Sequence, residues 1–185
     1  NLIFWCGRQI KMLKMPEFME ITPNNYSTKL EEVYNFYKYR IAHAGLKFMT
    51  GDIVCRKEPL FDNKDECFWH LITKDSNILP NGKIIPKNRN EIDFRRIERL
   101  KWCPFLIDNH MNKDIFCWEK LHKTSHGKQK RIYLWDKENS YVVVLAEDFR
   151  NTKKYQLITA YPTDKEHTFN KFDKEKDCCL DPRKH

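Results

Sequence analysis

Between Arg131 and Tyr161, three β-type segments follow one another so closely that an antiparallel meander is the arrangement they best fit. Arg131–Asp136, Ser140–Glu147 and Tyr155–Tyr161 are rich in β-branched and aromatic residues, and only Lys137-Glu138-Asn139 and the charged stretch Asp148–Lys154 separate them. Links this short join antiparallel neighbours, because a parallel pair needs a crossover of a dozen residues or more. The middle segment carries the unbroken apolar run Tyr141–Ala146. A strand without polar alternation predicts cover on both faces of the sheet.

Upstream, helical spacing dominates. Leu30, Val33, Tyr34, Tyr37 and Ile41 recur on one helix face, Thr28 and Glu31 suit a capping box, and Gly45 suits a stop. Phe48–Cys55, split by the turn Thr50-Gly51-Asp52, and Cys67–Thr73 predict strands. Residues 74–90, with Pro80, Asn81-Gly82 and Pro86, predict a long loop. A helix is expected over Ile92–Trp102, ending at Pro104, with Phe94, Ile97 and Leu100 along one side. Further helical pieces are expected over Phe105–Asn109 and Ile115–Leu121, then a basic linker His122–Lys130. After Asp164 the composition predicts a short exposed helix and a loose tail. Helices first and a small antiparallel sheet afterwards make an α+β fold. The expected division is an N-terminal helical segment 1–50, a core 51–165 and a C-terminal helix and tail 166–185.

Charge and cysteine usage narrow the function classes. The chain has 34 Lys and Arg against 26 Asp and Glu, a net charge of +8, which favours a polyanionic partner. No stretch approaches the ~18 apolar residues of a membrane span, and residues 1–18 lack the pattern of a signal peptide. The seven cysteines are odd in number, irregularly spaced and free of C-x-x-C, so reduced thiols and a cytoplasmic setting are expected. Cys178, Cys179 and His185 satisfy too few ligand spacings for a metal site; no metal and no cofactor is expected. No glycine loop of dinucleotide or Walker spacing occurs.

RNA can be cut with a proton shuttle and cations alone: a base deprotonates the 2′-hydroxyl, an acid protonates the leaving oxygen, and cations hold the developing charge. Histidine suits the shuttle and arginine the phosphate clamp. His70 lies in an apolar run, Phe68-Trp69-His70-Leu71-Ile72, and as a strand residue would share a face with Phe68 and Ile72. Arg96 and Arg99, three apart on a helix, would present cations on one face. Thr159 and Tyr161, one residue apart on the last strand, would point to the same side. Arg95, Lys101, Lys128, Lys130 and Arg131 are candidate RNA contacts. Each has a plain structural alternative: a satisfied histidine, a solvated basic face, an edge pair.

In chain order, His70 is followed by Arg96-Ile97-Glu98-Arg99-Leu100-Lys101-Trp102, Ile115-Phe116-Cys117-Trp118-Glu119, Tyr133-Leu134-Trp135, Tyr141–Leu145 and Leu157-Ile158-Thr159-Ala160-Tyr161-Pro162. Over Cys67–Pro162 this order resembles the phage-associated barnase–EndoU–colicin–RelE-like nucleases, found in phage proteins and as toxin domains. The resemblance implies N-terminal helices on a curved antiparallel sheet. It also implies a toxin-type, metal-independent endoribonuclease that cleaves RNA, tRNA foremost, to a 2′,3′-cyclic phosphate. It assigns His70 as acid or base, Arg96 and Arg99 as clamps, and Thr159 and Tyr161 as lining. The second proton-transfer partner stays open between His122, His126 and Tyr161. An acidic immunity or antitoxin protein is the expected inhibitor. The competing classes are a non-catalytic RNA- or DNA-binding module and a structural domain of a phage particle.

Overall fold

The computed structural model describes residues 13–74, 91–124, 127–148 and 151–184. The chain is a mixed α+β structure. Helix α1 (Tyr26–Tyr37) runs into a π-helical turn, Lys38–Ala42, and Gly45 ends the unit at φ +67, a conformation that favours glycine. Strands β1 (Lys47–Phe48) and β2 (Gly51–Val54) form a small hairpin, followed by α2 (Glu66–Ile72) and β3 (Thr73–Lys74). After residues 75–90, which lie outside the described residues, come β4 (Glu91–Ile92), α3 (Phe94–Glu98) and α4 (Trp102–Asp108). Four longer strands follow: β5 (Ile115–Thr124), β6 (Gly127–Asp136), β7 (Tyr141–Asp148) and β8 (Asn151–Pro162). Helix α5 (Glu166–Cys178) and a 3-10 turn, Pro182–Lys184, close the chain.

The main sheet has the order β1-β2-β8-β7-β6-β5, while β3 and β4 pair separately. The expected meander is present as β6–β7–β8, with β5 added at one edge. The sheet is not wholly antiparallel: β2 lies parallel to β8, with Ile53 opposite Tyr155. Gly51 is required at that junction, since a Cβ there would stand 2.5 Å from the Tyr155 ring.

Strand alternation builds two apolar layers. Cys117, Ile132, Leu134, Val143, Leu145, Leu157 and Ala160 face the helices α1–α4 and join Tyr37, Phe68, Ile97 and Leu106 in the larger core. Trp118, Tyr133, Trp135, Val142 and Val144 face the other way, and Phe172 of α5 seals them. The apolar run of β7 is therefore covered on both sides. A register shift between Val144 and Leu145 adds one residue, Ile158, to β8.

Several expectations are corrected. Cys67–Thr73 is not a strand; the segment folds as α2. Its apolar residues Cys67, Phe68, Leu71 and Ile72 are all buried at helical spacing, and so short a run satisfies either period. Ile115–Leu121 is the reverse case, a strand where a helix was expected. The single helix Ile92–Trp102 is two: α3 stops at Glu98, and Pro104 does not end a helix but sits in the first turn of α4, where its missing N–H leaves no bond unmade. No capping box forms at Thr28. The helix starts at Tyr26, the Thr28 hydroxyl donates to the Asn25 carbonyl, and Glu31 pairs with Lys64. The tail is not loose, because Arg183 donates to the carbonyls of His110 (2.6 Å) and Ile115 (2.9 Å) and pairs with Asp181.

Candidate nucleic-acid interface

The sheet face that carries α5 also carries a cluster of titratable side chains. Trp118 pairs with Tyr133, Lys120 with Arg131, Tyr133 with Val144, and Val144 with Thr159. Lys120, His122, Arg131, Tyr133, Thr159 and Tyr161 therefore point to one side. The Tyr133 ring lies flat on Trp118, with centroids 5.1 Å apart and planes 5° apart. The Tyr133 hydroxyl is 2.7 Å from Nε2 of His122. Burial lowers the pKa of His122, and the positive charges of Arg131, Lys120 and Lys171 lower it further against the opposing pull of Glu175. The imidazole is thus neutral at neutral pH and able to accept a proton. Burial pushes Tyr133 up to about 12, so its phenol keeps its proton there. Burial also raises Tyr161, with the cations of Arg96 and Arg131 opposing.

Arg96 reaches this face from α3, past the edge of β8. One of its terminal nitrogens donates to the His70 carbonyl (3.1 Å) and to Thr159 Oγ1 (3.4 Å). Its Nε stands 3.7 Å from Asp93, and its guanidinium carbon is 5.3 Å from the Tyr161 ring centroid. The Thr159 hydroxyl donates to the same His70 carbonyl at 3.3 Å. Arg96, Thr159 and Tyr161 are thus brought together, with the backbone of His70. The His70 Nε2 stands 3.5 Å from Glu66, one helical turn back.

Arg99 shares none of these partners. Helix α3 has ended before it, and its guanidinium covers Phe18 and Trp102 (4.8 and 5.3 Å) while pairing with Glu98. Arg95 pairs with Asp164, and Lys101 stands at the N-terminal end of α4. Lys128 and Lys130 alternate away from Arg131. Lys128 is exposed opposite Lys123, and Lys130 lies between Glu119 (3.5 Å) and Glu147 (3.3 Å) on the reverse face. His126 and His185 lie outside the described residues.

Sequence reasoning left His122 as one of three alternatives and overlooked Tyr133 and Glu175. Reading Ile115–Leu121 as a strand would have supplied the signal, because alternation then carries Trp118, Lys120 and His122 onto one face. A depression of about 380 Å³ lies apart from this face, between residues 13–18 and Trp102, Glu138 and Asn139. Its ionisable lining is Lys14, Glu17 and Glu138, a set that suits a polyanion poorly. Among the described residues, no group of three or more His, Cys, Asp or Glu could hold a metal ion. No helix among them is long and apolar enough to cross a membrane. Comparison with family models, with curated proteins and with solved structures returned no match.

Proposed function

We propose that the chain is an endoribonuclease of the barnase–EndoU–colicin–RelE-like kind, working on the α5-bearing face of the sheet without a catalytic metal. The observation that carries the reading is the neutral-held His122, hydrogen-bonded to Tyr133 on the face that also bears Arg131 and Tyr161. In this reading His122 accepts the proton of a 2′-hydroxyl. The 2′-oxygen then attacks phosphorus, and the 5′-oxygen leaves with a proton donated by Tyr161, giving a 2′,3′-cyclic phosphate. Arg131 neutralises charge on the phosphorane. Arg96, with its guanidinium carbon 5.3 Å from the Tyr161 ring centroid, adds a second cation on the leaving-group side of the phosphate. An acidic inhibitor would cover this basic face, and the proposal extends to a cytoplasmic toxin with tRNA as its target.

Incubation of the purified chain with total tRNA in EDTA tests the reading. Fragments ending in 2′,3′-cyclic phosphate support it, and His122→Ala should abolish them. His70→Ala separates the two histidines: activity should persist, since the bonds from Arg96 and Thr159 run to the His70 carbonyl and survive the substitution. Intact RNA with salt-dependent binding would replace the nuclease with a non-catalytic binding module. Cleavage that stops in EDTA and returns with magnesium would overturn the metal-free mechanism.

A further inference from the structure

Three cysteines, Cys55, Cys67 and Cys103, gather in the larger core beside Tyr37, away from the proposed RNA face. The chain just after β2 runs back along the start of α2: Glu66 N–H donates to the Lys57 carbonyl (2.9 Å) and Cys67 N–H to the Arg56 carbonyl (3.0 Å). These two bonds hold Cys55 beside Cys67, close enough for each thiol to shift the titration of the other. Cys67 is buried and also touches the Leu157 carbonyl at 3.8 Å, whereas Cys55 remains partly open to solvent. Eleven residues lie between the two in sequence, so a bond between them closes a short loop.

We propose that Cys55 and Cys67 form an oxidation-sensitive dithiol that a hydroperoxide converts to an intramolecular disulfide. The asymmetry of the pair assigns the roles. Cys55 is partly open to solvent, whereas Cys67 is buried, and its Cys55 neighbour and then desolvation push its thiol well above the ordinary range. Cys55 is thus both the more readily ionised and the more accessible sulfur, the two properties that select a thiol for peroxide attack. Its thiolate attacks the O–O bond of the peroxide, forming a sulfenic acid at Cys55 and releasing hydroxide, which is protonated to water. The Cys67 sulfur then displaces the sulfenic hydroxyl, which leaves as a second water, and the S–S bond forms. Two thiols and one hydrogen peroxide give one disulfide and two waters, and the two electrons end on the peroxide. Cys103 is fully buried in the same core. It is the internal control, because a pairing chosen by proximity alone could include it.

The test uses the full reduced chain treated with hydrogen peroxide. Free thiols are alkylated under denaturing conditions, and the digest is mapped by mass spectrometry without reduction. The expected product is a cross-linked peptide joining Cys55 to Cys67, two hydrogens lighter than the reduced pair, with Cys103 alkylated. Thioredoxin or a dithiol reductant should restore both thiols. In Cys67→Ser, Cys55 should be trapped as a sulfenic acid by dimedone. If this variant fails to fold, the wild-type map alone still decides the matter. Recovery of both Cys55 and Cys67 in alkylated form after peroxide, or a link from either to Cys103, would overturn the proposal. None of these readouts depends on RNA cleavage.

Discussion

Replacing Phe172 with Ala tests how the covered half of the RNA face is held. Helix α5 has 13 residues, and Phe172 is the one buried residue along it, at 2% exposure. Its ring meets Trp118, Tyr133 and Trp135 at centroid distances of 5.3, 5.7 and 5.8 Å, each steeply inclined. A buried Phe→Ala change costs about 3–5 kcal/mol. The three aromatic neighbours place this site toward the upper half of that range, since each edge contact adds roughly 0.5–1.5 kcal/mol beyond area burial. A helix of this length is marginal on its own in water, so its order derives from docking. The loss should therefore appear as local undocking of α5 ahead of global unfolding. It would also let water reach the Trp118 indole N–H, a buried donor without a partner among the described residues. Hydrogen exchange read by mass spectrometry should show residues 166–178 exchanging about a hundredfold or more faster, as about 3 kcal/mol implies, while β6 and β7 keep their protection. Undocking removes Lys171, which lowers the His122 pKa, and Glu175, which raises it less, and it opens the ring to water. The His122 titration followed by NMR should then move up, toward its ordinary value. Unchanged exchange in α5 would refute the argument, because Phe172 would not then be what holds the helix.

Three further outcomes follow from the geometry. Folding holds His122 below its ordinary value of 6.5, so the native state resists the proton that the unfolded chain accepts. The associated stability is complete above that value and is lost as pH falls from it through the folded midpoint; melting temperatures of wild type and His122→Gln should converge over that acidic window. Arg183→Ala removes a side chain that is 13% exposed and leaves the His110 and Ile115 carbonyls and Asp181 without it. A loss of roughly 3 kcal/mol in urea unfolding is expected, with fraying at the free edge of β5. Arg96→Lys keeps the charge but loses the fork that joins His70, Thr159 and Asp93, and should cost about 1–2 kcal/mol by the same assay. Equal stability of the lysine variant would show that the charge alone matters there.

The parts of the fold that were legible in the sequence share one property: a pattern long enough to exclude the alternative. Tyr141–Ala146 with its flanking turns admits a central strand and little else, and Leu30, Val33, Tyr34, Tyr37 and Ile41 run far enough to define a helix. Cys67–Ile72 and Ile115–Leu121 are short apolar runs in which both periods fit, and each folded as the opposite element. Tertiary cover decided them. Cys67 and Phe68 find the aromatic pair Tyr34–Tyr37 only as helix residues, and Cys117 and Trp118 reach two different cores only as strand residues. The parallel pairing of β2 with β8 joins residues about a hundred apart, which no local pattern encodes.

The same alternation explains why net charge was a poor guide to the site. Lys130 and Arg131 are neighbours in sequence and equal in charge, yet β6 sends them to opposite faces of the sheet. Lys130 falls between two carboxylates, Glu119 and Glu147, and adds little field to anything that approaches. Arg131 falls beside Gln129, His122, Tyr133 and Tyr161, where it shifts the titration of all three of the last. Arg96 and Arg99 part in the same way, one to the β8 edge and the other onto Phe18 and Trp102. An excess of eight positive charges thus resolves into a few placed cations. Their placement depends on strand parity and on where α3 stops, and not on how many lysines the chain carries.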